Sequence, residues 1–291
     1  LEGAGWIVPA LLAVAGVVRS ALLPAWRWLP LTAEAPSPVS ALLHAGVVNG
    51  MGLLAILLWP LFVAAPGVLL ALVVVGLVTA VAGTAAMRVR PDVKGKLASS
   101  TSAQMGYMTL QVGLGLPAFA MLHMIGHGFY KAWLFLRAGG ASRRPVAPSL
   151  DAIPGWALVA LPATATLVVA LGAVTWPGWP IVDLVPLVVA GAAATFALAA
   201  LAWPDRRTVA HSTPRGRVWA AMIVLAGLFT YVVVLGLWSR IFEEPGVWGG
   251  TTAIALTAAV LVAGAAGLFA VARGSLRRVV LPVVVDGAVR V

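Results

Sequence analysis

The chain has 291 residues, of which 62% are hydrophobic and 10% are charged, and its formal net charge is +10. This composition excludes an ordinary soluble domain, because such domains carry about 25% charged residues. Cysteine is absent, which excludes disulfides, iron–sulfur clusters and cysteine zinc sites.

Successive apolar stretches of the chain are each long enough to cross a bilayer, which takes about 20 residues of helix. We therefore predict an all-α polytopic membrane protein with about nine transmembrane helices. The predicted spans are residues 5–23, 37–60, 67–87, 97–116, 118–138, 155–175, 180–203, 217–239 and 251–272.

Prolines cluster between the first and second predicted spans. Pro24 and Pro30 follow the first span, and Pro36 and Pro38 open the second. Transporters break their helices at ion sites, where a water-filled cavity satisfies the freed backbone groups. Proline is equally favoured in the first turn of any helix. For Pro36 and Pro38 the sequence leaves both interpretations open.

Basic residues alternate between successive connections. Residues 88–96, 137–154 and 204–217 are rich in Arg and Lys, whereas residues 61–66 and 176–179 have none. An excess of Lys and Arg is typical of cytoplasmic loops. We predict a multi-pass protein of the cell (inner) membrane with a cytoplasmic C-terminus. The positive charge is thus explained by topology, and nucleic acid is not expected as a partner.

The fourth and fifth predicted spans contain polar residues. Ser99 to Ser102 and Gln104 either hydrogen-bond neighbouring helices or line a water path. The fifth span contains FAMLHMIGHGFYKAWLF (119–135), in which His123, His127 and Lys131 are four residues apart. Steps of four place all three on one helix face. We call these three residues the histidine–lysine stripe.

Ionisable side chains inside a membrane span are functional candidates, since each costs about 2.5–3.5 kcal/mol on insertion scales. Imidazole titrates near neutral pH, so the stripe predicts a proton path. Three alternatives stay open. In the first, the two histidines only form hydrogen bonds; in the second, they bind a metal, although neither an HExxH pattern nor a third ligand accompanies them. In the third, Lys131 extends to the membrane interface. His44 by itself is typical of a core histidine.

Three segments resemble the proton-translocating antiporter-like membrane subunits, in order and in spacing. They are APSPVSALLHAGVV (35–48), DVKGKLASSTSAQMGYM (92–108) and MLHMIGHGFYKAWLFLRAG (121–139). This family includes the L-, M- and N-type subunits of respiratory complex I and the large Mrp antiporter subunits. LLHAGVVNG, STSAQMGYMTLQ and FYKAWLF are most similar to the L-like branch, and particularly to the membrane subunit of the two-component inorganic carbon transporter.

The resemblance covers roughly residues 14–139 and implies an inverted-repeat bundle with broken helices. It divides the chain into the end of a first repeat (1–66), a second repeat (67–203), and C-terminal helices with a cytoplasmic tail (204–291). The family pairs a broken-helix Lys with a Glu on an earlier helix, so we expect an N-terminally truncated fragment. Arg19 occupies the position of that Lys, but arginine stays charged and cannot cycle a proton.

The resemblance also implies roles for individual residues. Those placed on the proton-translocation path are Arg19, His44, Ser100, Gln104, His123, His127 and Lys131. Those placed at positions suited to coupling are Glu34, Asp92 and Lys94.

The function implied is a proton- or sodium-translocating subunit that energises inorganic carbon uptake, with a large soluble zinc-containing partner related to carbonic anhydrases. The first alternative is a proton-pumping subunit of an NADH:quinone oxidoreductase or hydrogenase-like complex. Its partners would then be other complex I-like membrane subunits. Only about 19 residues follow residue 272, which is short for the lateral helix of that subunit. The second alternative, an Mrp-type cation/proton antiporter, would need acidic ligands in the spans. No nucleotide, flavin or quinone motif is visible, so we expect no cofactor on this chain.

Overall fold

The computed structural model describes residues 5–139, 184–202, 214–241 and 247–272, and the regular secondary structure within these ranges is entirely helical. The predicted all-α fold is confirmed. The α-helices are α1 (Ile7–Arg19), α2 (Trp28–Leu31), α3 (Ser37–Ala45), α4 (Gly50–Leu57), α5 (Trp59–Val63), α6 (Pro66–Val89), α7 (Val93–Gly113), α8 (Pro117–Leu136), α9 (Leu184–Ala202), α10 (Pro214–Ile241) and α11 (Gly250–Ala272). Short 3₁₀-helices cover Ala25–Arg27, Thr32–Glu34 and Val47–Asn49.

Four described segments are long and apolar enough to cross a membrane. They are Ser37–Leu57, Pro66–Val89, Arg215–Trp238 and Gly250–Val271. The fourth and fifth predicted spans coincide with the helices α7 and α8, which are 21 and 20 residues long but are not among these four segments. The predicted span 155–175 lies outside the described residues. The count of nine and the repeat boundaries therefore stay predictions.

The first predicted span is a broken helix. α1 ends at Arg19, four residues before the predicted boundary, and Ala21 adopts a left-handed φ of 52°. The buried Ser20 side chain accepts a hydrogen bond from the backbone N–H of Met51 at 2.8 Å. The helix is thus interrupted next to Arg19, as the family resemblance implied.

The second predicted span is also broken, but not at its prolines. Pro36 and Pro38 lie at the start of α3, where proline is favoured. The interruption lies at Gly46 and the following 3₁₀-helix. There the Asn49 side-chain amide donates to the Ala45 carbonyl at 2.7 Å, so that the freed carbonyl keeps a partner.

The antiparallel helices α6 and α7 are in very close contact. A Cβ atom added to Gly76 would lie 2.6 Å from the backbone N of Leu110, and one added to Gly83 would lie 2.6 Å from that of Ala103. Real Cβ atoms do not come this close to backbone, so only glycine permits the approach, as small residues do between membrane helices. Residues 90–92 alone connect the two helices, so the predicted loop 88–96 is shorter than expected.

Helices α1 to α8 form one compact unit together with α11 from residue 258 onward, whereas α9 and α10 contact each other in a second unit. In the first unit, Arg88 Nη1 donates to the Val271 carbonyl at 3.0 Å. The C-terminal end of α7 lies in the interior of this unit. Residues 108–120, which run from that end into the first turn of α8, are all buried. The apolar core includes Leu29, Met51, Phe62, Leu69, Met105, Met108 and Ala120.

Candidate ion-translocation site

The histidine–lysine stripe lies on one face of α8, as predicted. Its three side chains extend over about 12 Å of the helix axis, at about 1.5 Å per residue. α8 packs against α3, α4 and α7. Burial increases along the stripe: His123 is partly buried, His127 is 3% exposed and Lys131 is 0% exposed. Lys131 does not snorkel to a surface of the described structure.

The Lys131 ammonium is held by the first two turns of α7. It donates to the Leu97 carbonyl at 3.2 Å and to the Ser100 hydroxyl. The same carbonyl also accepts the hydroxyls of Ser100 and Thr101, at 3.1 and 2.9 Å. A buried charge is costly unless acceptors surround it. Ser100 is thus an interhelical partner of Lys131, which agrees with one of the two interpretations of the polar residues in α7.

His123 contacts two amide side chains of α7. Its Nδ1 lies 3.1 Å from Oε1 of Gln111, and its Nε2 lies 3.4 Å from Oε1 of Gln104. The Tyr107 ring is 5.4 Å away between centroids. Sequence reasoning found Gln104 but missed Gln111. Their spacing of seven residues, two helical turns, was the signal that could have identified it.

His127 lies between the other two stripe residues, with its ring centroid 6.0 Å from that of His123. Neither ring nitrogen of His127 has a hydrogen-bond partner among the described residues. Unpaired buried nitrogens are costly, and water commonly satisfies such groups. We therefore expect water to link His127 to its neighbours.

His44 joins the stripe from α3. Its ring is 0% exposed and stacks on Phe135 of α8, with centroids 4.3 Å apart and an 18° angle between planes. Nε2 lies 3.4 Å from Oγ1 of Thr32, whose hydroxyl donates to the Leu29 carbonyl at 2.7 Å. Because that hydroxyl hydrogen is committed, this contact is a hydrogen bond only when Nε2 of His44 carries a proton.

Sequence reasoning missed both Thr32 and Phe135. Phe135 continues the four-residue spacing of the stripe by one step, and that periodicity could have identified it. Lys131 is within electrostatic range of all three histidines. We call His44, His123, His127 and Lys131 the buried base cluster.

The other predicted site residues lie apart from this cluster. Arg19 is exposed, and its side chain covers Gly50, where an added Cβ atom would lie 2.3 Å from Arg19 Cδ. Glu34, Asp92 and Lys94 line a cleft of about 520 Å³, near the C-terminal end of α8. Lys94 donates to the Ala35 carbonyl at 2.7 Å from the first turn of α7, so it is not the loop charge that was expected.

Asp92 is the N-cap of α7, since its carboxylate accepts the backbone N–H of Gly95. We expect Asp92→Ala to lower the free energy of unfolding by about 1 kcal/mol, because alanine cannot cap. Asp92→Asn removes the charge but keeps a good cap, so its stability should match the wild type. Thermal unfolding and proton transport measured on both variants separate the two roles. If Asp92→Ala were as stable as the wild type, the capping role would be contradicted. If Asp92→Asn were stable but did not transport protons, the charge of Asp92 would be needed for coupling.

Comparison with known proteins places these residues in a family context. Residues 5–183 match the family described as NADH:quinone oxidoreductase/Mrp antiporter, TM. The chain is 45% identical over 129 residues to the probable inorganic carbon transporter subunit DabB1 of Halothiobacillus neapolitanus, a match covering 44% of this chain and 23% of that protein.

Two further relatives extend the comparison. The probable inorganic carbon transporter subunit DabB of Hydrogenovibrio crunogenus is 44% identical over 148 residues, covering 48% of this chain and 29% of that protein. The chloroplastic NAD(P)H-quinone oxidoreductase subunit 5 of Glycine max is 35% identical over 170 residues, covering 58% and 22%. The chain thus spans less than a third of the length of these relatives.

Proposed function

Since the chain belongs to the NADH:quinone oxidoreductase/Mrp antiporter family of membrane proteins, we propose that it is a proton-translocating membrane subunit. The buried base cluster is the observation that carries this proposal. Its four members bring a fully buried ammonium and three imidazoles together between α3, α7 and α8. Burying such groups is costly without a functional gain. A proton relay is the function that these residue types perform.

The chemistry of the cluster favours a proton over sodium. Imidazole and amine nitrogens accept protons, whereas hard monovalent and divalent cations are held by several oxygen ligands. The described ranges contain two acids, Glu34 and Asp92, and both lie at the cleft and not in the cluster. A sodium ion would also be repelled by the Lys131 ammonium. This arrangement counts against the Mrp-type antiporter alternative.

Electrostatic coupling within the cluster supplies a means of moving protons in steps. Lys131 acts on His44, His123 and His127, and His127 also interacts with His44. Positive charges repel strongly in a low-dielectric interior. A proton that enters at one member therefore favours the release of another. Arg19 stays charged and contributes a fixed potential at the α1 break, in place of a proton-exchanging step.

The proposed process is inorganic carbon uptake. The two inorganic carbon transporter subunits are 45% and 44% identical to this chain, against 35% for the quinone oxidoreductase subunit. The chain would energise CO₂ or bicarbonate accumulation by a large soluble zinc protein related to carbonic anhydrases. It would lie in the cell inner membrane with its C-terminus in the cytoplasm. A proton-pumping subunit of a quinone oxidoreductase is the second candidate, since that match is the longest of the three at 170 residues.

Purification of the complete protein from its native host in mild detergent tests this proposal. We expect one large soluble zinc protein to co-purify in a simple two-component complex. Metal analysis and mass spectrometry identify it, and deletion of this subunit should make growth dependent on added CO₂. A series of flavin and iron–sulfur subunits in its place would overturn the carbon proposal in favour of NADH-driven proton pumping.

A further inference from the structure

Gln104 and Gln111 enclose the His123 ring from both sides. The two residues lie on α7, two turns apart, and Gln111 is 2% exposed. Each directs its Oε1 at a different ring nitrogen, at 3.4 Å for Gln104 and 3.1 Å for Gln111. Both imidazole nitrogens therefore have a protein partner, and both partners are side chains that cannot ionise.

This geometry matches the protonated ring. A carbonyl oxygen only accepts hydrogen bonds, so two oxygens facing the ring are both satisfied when His123 is an imidazolium with two N–H groups. Rotation of either amide by 180° replaces its oxygen with its NH₂ group, which donates to an unprotonated ring nitrogen. The neutral ring then also keeps two hydrogen bonds, but the two bonds of the imidazolium are charge-assisted and stronger, so the pair favours the protonated form. Gain or loss of a proton at His123 thus requires an amide rotation and no displacement of the imidazole.

The other two stripe residues differ from His123 in this respect. Lys131 has acceptors, the Leu97 carbonyl and the Ser100 hydroxyl, and these suit its charged form. His127 has no hydrogen-bond partner on either nitrogen within the described part of the chain. A cation at His127 would therefore lack the acceptors that its neighbours have.

We propose that Gln111 and Gln104 form a positioning pair that makes His123 the proton-holding histidine of the stripe, whereas His127 passes protons on without holding them. The inference rests on the proposed proton translocation and adds a role for Gln111. The titratable groups around His123 are Tyr107 of α7, and His127 and Lys131 of α8. His44 of α3 interacts with the neighbouring His127. All four stay unchanged in the test below.

The test is solid-state ¹⁵N NMR of the complete protein, labelled with ¹⁵N-histidine and kept with its subunits in lipid. Imidazolium and neutral imidazole nitrogens have distinct shifts, and the His123 signals are those lost in His123→Asn. Gln111→Met keeps the side-chain length but removes the acceptor, so the imidazolium-to-neutral ratio of His123 should fall about tenfold. Gln111→Glu keeps an acceptor oxygen and adds charge, so the ratio should rise by about the same factor.

Thr109→Val is the matched control, since it removes a buried α7 hydroxyl that has no hydrogen-bond partner among the described residues. It should leave the ratio unchanged. Opposite shifts in Gln111→Met and Gln111→Glu would support the proposal. Shifts in the same direction, or none in either variant, would overturn it. The NMR ratio is measured without any transport. If the protein moved no protons, the proposed function would be refuted, but the NMR ratio would still test the role of the glutamine pair.

Discussion

Replacing Lys131 by methionine is expected to reduce proton transport by roughly 100-fold or more, the size of a lost acid–base step. Methionine has a similar length and no charge, so it fills the fully buried site without a desolvation cost. The variant should therefore be at least as stable as the wild type. Proton flux across the membrane of inverted vesicles, followed with a pH-sensitive dye, measures the first effect. Thermal unfolding measures the second.

Lys96→Met is the matched control, because Lys96 is an exposed lysine in the first turn of α7. It should retain wild-type transport. His127→Ala should lose transport as Lys131→Met does, with expression intact, since His127 lies between Lys131 and His123. Normal transport in both the Lys131 and His127 variants would refute the relay.

The second large effect is expected from Gly76→Ala, which should destabilise the fold by about 1–3 kcal/mol or more through overpacking. The added Cβ atom would lie 2.6 Å from the Leu110 N and 2.7 Å from the Gly106 carbonyl. Both are backbone atoms that cannot rotate away, so α6 and α7 must separate. Gln104 and Gln111 are on α7, and transport should fall as well. Thermal unfolding in detergent measures the stability change.

Gly67→Ala provides a comparison within the same helix. No described atom lies within 4 Å of the Cβ position of Gly67. Alanine is also the better helix former, so this variant should unfold at the wild-type temperature or slightly higher. Equal melting temperatures for Gly76→Ala and Gly67→Ala would show that the close approach of α6 and α7 is not required.

Local patterns predicted the helix that carries the stripe. The span expected at 118–138 is α8, Pro117–Leu136, because its long apolar run has one clear period. The span expected at 97–116 begins earlier, at Val93. Because they are charged, Lys94 and Lys96 were assigned to the loop before the helix. In the structure Asp92 caps the helix, and both lysines belong to its first turn. A capping residue was the better guide to this boundary than the charge pattern.

The breaks and the partners of the cluster could not be predicted from local patterns. The sequence left open whether Pro36 and Pro38 break the helix or begin it; they begin α3, and the chain breaks at Gly46, where Asn49 supplies a substitute hydrogen bond. The four-residue spacing places Phe135 on the stripe face, but the contacts of Phe135 and Thr32 with His44 arise from packing between separate helices. Such contacts depend on tertiary distances that one-dimensional periodicity does not contain.

The break at Gly46 has an electrostatic consequence for the buried base cluster. It gives α3 a carboxyl end at Ala45, whose carbonyl lies 3.2 Å from the Cβ position of Gly128, between His127 and Lys131. That end carries a negative partial charge, and the Leu97 carbonyl adds another at Lys131. Among the described residues, the cluster thus has its counter-charge from peptide dipoles and not from carboxylates. Peptide dipoles do not titrate, so this attraction for protons stays constant as the pH on either side of the membrane changes.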